Sequence, residues 1–181
     1  MTDAQGNRQD WQGAVDALDP TGEGVEVWTD GSMLNPQEDV RRGGYAALIL
    51  KPNGSEPAAV AVGRYAGPHC HSDMMETLAV AKVLHALPEH TKATICTDSM
   101  TCIAWWKHYV DNPRPWKAAH RRSTATHKVW EWAAAKIAKR RRNGTTTEIK
   151  KVKAHAGITG NELADQLAKE AAASADIPAG R

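Results

Sequence analysis

The chain has 181 residues, 41% hydrophobic and 24% charged, which suits one buried core and is short for two ordinary domains. Its formal net charge of +2 does not announce a nucleic-acid binder, so where the charge lies matters more than its sum. No apolar run is long enough to cross a bilayer, and residues 1–10 are polar, without the apolar stretch of a secretory signal.

In chain order, residues 1–22 read as a weakly ordered extension, with a short amphipathic helical turn around Trp11 to Leu18 ended by Asp19-Pro20. Residues 25–29 alternate apolar and polar and predict a strand. Residues 44–50 are more continuously apolar and predict a central strand. Lys51-Pro52-Asn53-Gly54 is a turn, and residues 58–65 return as the second arm of a hairpin. Ser72 can cap a helix that runs to Leu87 and stops at Pro88; Met75, Leu78, Ala79, Val83, Ala86 and Leu87 form its apolar stripe. Residues 94–97 are a short buried strand. Residues 99–110 and 124–142 read as helices, split by Asp111-Asn112-Pro113-Arg114-Pro115. Residues 148–153 are a last strand and residues 161–172 a last helix, with Leu163 and Leu167 toward the core. The catalytic domain is expected over residues 23–171, and residues 172–181, rich in Ala, Pro and Gly, as a tail. A hairpin-led sheet followed by strand–helix units predicts an α/β domain with helices on both faces.

Two strands end alike, in Thr29-Asp30-Gly31-Ser32 and Thr97-Asp98-Ser99. If they are parallel neighbours, both carboxylates leave the same sheet edge, where ligand sites of open α/β sheets gather. Either Asp alone would pass for turn or cap chemistry. Glu76 lies one turn into its helix, at the apolar–polar boundary. The third region runs from His155 through Gly157, Gly160, Asn161 and Glu162 to Asp165. It reads as a glycine-rich loop bearing a histidine, then a helix with Asn161, Glu162 and Asp165 on one face.

Together with Gly43-Gly44-Tyr45, and in this order and spacing, these pieces resemble the type 1 ribonuclease H family over residues 24–171. The resemblance implies a ribonuclease H-like α/β fold: a five-stranded mixed sheet, strands one to three antiparallel and four and five parallel, flanked by helices. It implies an endonuclease that hydrolyses the RNA strand of RNA–DNA hybrids and leaves 5′-phosphate and 3′-hydroxyl ends. It also implies that Asp30, Glu76, Asp98 and Asp165 hold two Mg²⁺ ions, with Mn²⁺ a possible substitute, and that His155 stands beside them on a mobile loop. The chemistry suits the residues. Mg²⁺ is a hard ion that takes carboxylate oxygens, and two such ions can serve both the attacking water and the leaving oxygen of a phosphodiester. Crowded carboxylates repel one another without metal, so a raised pKa is expected among them. A near-neutral histidine suits proton transfer or product release.

Residues 105–142 carry a basic excess that the modest net charge conceals, with Trp105, Trp106, Tyr109, Trp116, Trp130 and Trp132 interleaved. Basic groups can meet phosphates, and aromatics can meet sugars or bases. Trp116-Lys117 followed by Arg121 and Arg122 resembles the family's protrusion that grips the DNA strand. Trp130, Trp132 and one of Trp105 and Trp106 are expected in the core. Asn35, Ser72 and Asp73 are the candidates for reading ribose 2′-hydroxyls. The chain departs from the family pattern in having Ser72-Asp73 where two asparagines are frequent, Met100 where glutamine is frequent, and a long segment before Gly43. These changes bear on hybrid contact and leave the carboxylates untouched.

Cys70, Cys96 and Cys102 are odd in number and lack CxxC spacing, which predicts free thiols in a reducing, cytoplasmic setting. His69-Cys70-His71 has no partner pair for zinc. A monomer acting on hybrids away from membranes is expected. The competing readings are a non-catalytic hybrid-binding or RNA-binding module, which should have lost carboxylates, and another carboxylate nuclease or strand-transfer enzyme, against which the His155 loop and Gly43-Gly44-Tyr45 speak.

Overall fold

The computed structural model describes residues 6–34, 41–67, 70–113 and 124–174. Helix α1 (Gly6–Leu18) precedes strands β1 (Val25–Leu34), β2 (Arg42–Leu50) and β3 (Pro57–Ala66). Helix α2 (Ser72–Ala86), strand β4 (Ala93–Thr97) and helix α3 (Met100–Trp106) follow, and α3 continues into a π-helical turn (Lys107–Asp111). Helix α4 (Thr124–Arg142), strand β5 (Thr147–Lys151) and helix α5 (Thr159–Ala173) complete the order.

The five strands form one sheet in the order β3-β2-β1-β4-β5. Strands β1, β2 and β3 pair antiparallel, and β4 pairs parallel to both β1 and β5. This is the expected five-stranded mixed sheet. The alternation read from β1 holds: Val25, Val27 and Thr29 are buried, and Glu26 between them is exposed. Val25 and Val27 enter the main core with Val80, Val83 and Leu84 of α2 and with Trp130 and Ile137 of α4. Helix α5 covers the opposite face. A Cβ on Gly160 would stand 2.3 Å from the Trp28 ring, and one on Gly44 would stand 2.2 Å from the Ala168 carbonyl oxygen. Small residues at those two positions let α5 lie close on the sheet.

Several boundaries and faces differ from expectation, each for a packing reason. The weak order expected of residues 1–22 does not describe α1. Its Trp11, Ala14, Val15 and Leu18 recur at helical spacing, and Trp11 is completely buried in the main core. Helix α5 includes Ala172, which is fully buried, so the C-terminal tail begins later than residue 172. The buried stripe of α5 is Ala164, Ala168 and Ala172, while Leu163 and Leu167 are only half-buried, because close approach to the sheet leaves room for alanine and not for leucine. Trp132 is exposed at 37%. It lies two residues from the fully buried Trp130 and therefore on the other side of α4. Arg140, part of the basic excess of residues 105–142, is buried; its guanidinium donates to Thr147 Oγ1 at 3.0 Å, to the Pro88 carbonyl at 3.0 Å and to the Thr91 carbonyl. No helix among the described residues is long and apolar enough to cross a membrane.

Candidate active site

Strand β1 runs past its parallel neighbour. Its pairing with β4 ends at Trp28↔Cys96, whereas its pairing with β2 continues to Leu34↔Arg42. Asp30 therefore sits inside β1, opposite Ala46, and not at the strand's end as read from the sequence. Beyond Thr97 the β4 side of β1 is open, and Asp98 is the first residue past β4. The two aspartates thus leave one sheet edge side by side, as the parallel pairing requires.

Glu76 arrives from above the sheet. Gly31, beside Asp30, has no room for a side chain: a Cβ there would stand 2.2 Å from the Glu76 amide nitrogen and 2.4 Å from the Met75 carbonyl carbon. Gly43 likewise leaves room for the Met75 sulfur. These two glycines let the first turns of α2 rest on β1 and β2, which carries Glu76 down to Asp30. Helix α2 starts without a side-chain cap. Its N-cap residue is His71, so Ser72 is the first helical residue and does not cap as expected.

One oxygen from each of Asp30, Glu76 and Asp98 lies within 4.8 Å of the others. Asp30 is only 6% exposed and accepts a hydrogen bond from the Gly31 amide at 2.8 Å. Burial, then the charges of Asp98 and Asp165, push its carboxyl up to about 7, against a hydrogen bond with Glu76 that pulls it down. Burial and the charge of Asp30 push Glu76 further, to about 10, with Asp98 and Asp73 adding to the effect. Burial and mutual repulsion thus raise both carboxyls above the ordinary carboxylate range. One oxygen of Glu76, Oε2, is buried with no hydrogen-bond partner among the described residues. Buried carboxylates that repel one another and leave an acceptor unsatisfied fit a hard divalent cation, which would take the oxygens and relieve the repulsion.

Helix α5 supplies the other side. Asn161, 2% exposed, donates from Nδ2 to Asp98 Oδ2 at 3.0 Å, and its own Oδ1 is buried without a partner among the described residues. The sequence places Asn161 on the helix face but does not reveal this contact. Asp165, one turn on, has a 24%-exposed side chain and accepts from Lys169 Nζ at 2.6 Å. Its charge reaches Asp30, though it stands outside the group of three.

A family model described as RNase H matches residues 22–173. The ribonuclease H of Bordetella avium (strain 197N) is 30% identical over 163 residues, covering 88% of this chain and 97% of that protein. Those of Escherichia coli (strain K12 / DH10B) and Shigella boydii serotype 18 (strain CDC 3083-94 / BS512) are each 33% identical over 152 residues, covering 82% of this chain and 88% of theirs.

The chain belongs to the ribonuclease H family.

As a ribonuclease H it is an endoribonuclease; of the four carboxylates expected to hold metal, Asp30, Glu76 and Asp98 converge and Asp165 stands outside that group. His155 lies on the loop between β5 and α5, exposed, with a left-handed φ of 49°. That loop is closed by the Gly157 amide, which donates to Glu162 Oε1 at 2.9 Å. Of the residues expected to touch substrate, Ser72 is exposed at the start of α2. Asp73 is half-buried and accepts from Thr101 Oγ1 at 3.2 Å, which ties α2 to α3 beside Asp98. Asn35, Trp116, Lys117, Arg121 and Arg122 lie outside the described residues. Met100 is 65% exposed at the first turn of α3. All three cysteines are free and buried, and Cys70 packs with Met74 and Met75.

Proposed function

We propose that this ribonuclease H cuts the RNA strand of RNA–DNA hybrids by two-metal-ion hydrolysis, giving 5′-phosphate and 3′-hydroxyl ends. The observation that carries the reading is the convergence of Asp30, Glu76 and Asp98 within 4.8 Å, with an unpartnered buried oxygen on Glu76. Asp30 feels Glu76, Asp98 and Asp165 alike, which supports it as the residue that would serve both ions. Glu76 and Asp98 would complete one site and Asp165 the other. When bound, Mg²⁺, with Mn²⁺ as a substitute, supplies Lewis-acid charge at the phosphodiester and lowers the pKa of the attacking water.

The chain's own groups do the rest. Asn161 holds the Asp98 carboxylate in one orientation through its Nδ2 hydrogen bond. His155, exposed on the loop before α5, is proposed to take or give a proton or to assist product release. Ser72 and Asp73, at the start of α2, lie on the chain next to Glu76 and are the described candidates for ribose hydroxyl contacts, with Asn35 on the β1–β2 connection. Trp116, Lys117, Arg121 and Arg122 are proposed to hold the DNA strand. The three buried thiols support a reducing, cytoplasmic setting.

The test uses end-labelled RNA offered as hybrid, as duplex RNA and as single strand, with Mg²⁺ or with EDTA. Cleavage confined to the hybrid with Mg²⁺ is expected, and Asp98→Asn should abolish it. Equal cutting of single-stranded RNA, or retained activity in Asp98→Asn, would sink the proposal. Trp116→Ala should raise KM more than it lowers kcat.

A further inference from the structure

Helix α4 holds six cationic residues and one carboxylate, in a chain whose net charge is only +2. Buried Arg140 is committed to the interior, and Arg141 turns to Asp111 at 3.7 Å and to the Val110 carbonyl at 3.4 Å. The others gather on the outer side. Lys128, Trp132, Lys136, Lys139 and Arg142 follow at steps of four, four, three and three, which keeps them on one side of the helix over about 21 Å. Lys128, Trp132, Lys139 and Arg142 are exposed. Lys136 Nζ lies 5.9 Å from the centre of the Trp132 ring. The carboxylates nearby are Glu131, 3.2 Å from His127, and Glu89, 2.7 Å from Lys139; the Lys139–Glu89 pair is half exposed and open to exchange with a stronger anion.

The face starts near the carboxylates and runs away from them. Thr126 Oγ1 meets Met74 Sδ at 3.4 Å and Trp130 Nε1 donates to Thr77 Oγ1 at 3.1 Å, both in the first turns of α2, which bear Glu76. At the far end Arg140 meets the Pro88 carbonyl, beyond the last turn of α2. The two helices are therefore parallel. Only the Lys128 end lies beside the acidic centre, and the Arg142 end is at the opposite side of the molecule.

We infer that the outer face of α4 is a second nucleic-acid site, which binds an unpaired strand as it leaves the hybrid. Charge selects a polyanion, and the exposed indole selects among polyanions. An aromatic ring stacks on a base only where that base is not already stacked and paired in a duplex, and such stacking does not depend on sequence. A convex helix face with cations on both sides of one indole suits a flexible single strand that can bend over it. Only the attachment of that strand to a hybrid rests on the proposed function; the strand-binding face does not.

The probe is fluorescein-labelled oligo-dT, titrated by anisotropy in EDTA over a range of salt. Its binding is compared with cleavage of a blunt hybrid and of the same hybrid carrying an oligo-dT tail. The combined variant K128Q/K136Q/K139Q/R142Q should weaken oligo-dT binding at least tenfold. It should also flatten the salt dependence by about 0.7 in log–log slope per lost phosphate contact. Trp132→Ala should cost roughly tenfold, and Trp132→Phe should restore most of it. Both variants should cleave the blunt hybrid as the unaltered protein does and lose the lower KM that the tail confers. Unchanged oligo-dT affinity in the combined variant overturns the inference. So does an equal loss on the blunt hybrid, which would make the face part of the hybrid grip, and so does tighter binding of a poly-Glu peptide than of oligo-dT, which would make it a protein-docking face. Failure of the unaltered protein to cut any hybrid, with oligo-dT still bound, would remove the proposed function and leave this site standing.

Discussion

Asp30 and Glu76 are held at protonation states that the unfolded chain does not share. In the metal-free protein Asp30 titrates near 7 and Glu76 near 10, against ordinary values of 3.8 and 4.5. Above their ordinary values the unfolded chain has released both protons while the folded protein still holds them, so stability falls as pH rises. The loss begins near pH 4, runs to about 7 for Asp30 and continues further for Glu76. Urea unfolding in EDTA should therefore show declining stability from pH 5 to pH 8, and Glu76→Gln should flatten that decline while abolishing cleavage. A wild-type profile that rises over this range would refute the assignment. Asn161 acts at the same scale, because its Nδ2 fixes Asp98 while its Oδ1 waits unpartnered. Asn161→Ala should weaken Mg²⁺ binding by about 10–100-fold in calorimetry, the cost of removing a group that orients a ligand. Asp165 differs from the buried pair in being partly solvated and paired with Lys169, and its neutralisation should cost less metal affinity than that of Asp98.

At the scale of elements, the site depends on how closely α2 and α5 approach the sheet. Gly31 faces the backbone of α2 and Gly44 the backbone of α5, so neither contact can be relieved by a side-chain rotation. Gly31→Ala would push α2, and Glu76 with it, away from Asp30. Overpacking of this kind costs about 1–3 kcal/mol, and here it should also lower kcat, which separates it from an ordinary core insertion. Helix α1 works at a distance. Trp11 is wholly buried among Val15, the hairpin strands and α2, and Trp11→Ala should destabilise the fold by about 3–5 kcal/mol in urea without changing the pH dependence of cleavage. An unaltered melting curve would return α1 to the role of a loose extension.

For the molecule as a whole, charge is divided by position. Carboxylates crowd the sheet edge where β4 stops, and cations line α4, so a net charge of +2 conceals two opposed surfaces. On the proposed function, metal bound at the acidic centre would stabilise the fold. Mg²⁺ at a hundred times its dissociation constant should add about 2.7 kcal/mol to stability at neutral pH, and that gain should vanish in Asp98→Asn. Calorimetric melts with Mg²⁺ or EDTA would measure it.

Much of this was legible before folding. Alternation placed β1, the breakers around Pro52 and Pro113 divided the elements, and the ordered strings around Asp30, Glu76, Asp98 and Asp165 carried the resemblance that implied the acidic set, because each is a local pattern. Asp30 was expected at a strand end, since a chain read alone cannot show that β2 extends β1 past β4. Ser72 was expected as a cap and Leu163 and Leu167 as core, since propensity favours them, but His71 takes the cap position and the close contact of α5 with Trp28 and β2 selects alanine instead. Tertiary structure alone decided that Trp11 is core and Trp132 is not, that Arg140 is an interior strut, and that Asn161 holds Asp98. By itself the sequence determined which carboxylates are present and in what order, because chemistry resides in residue types. The 4.8 Å convergence of Asp30, Glu76 and Asp98, the raised pKa values of Asp30 and Glu76 and the separate basic face of α4 belong to the fold, because distance, burial and facing exist only between segments far apart in the chain.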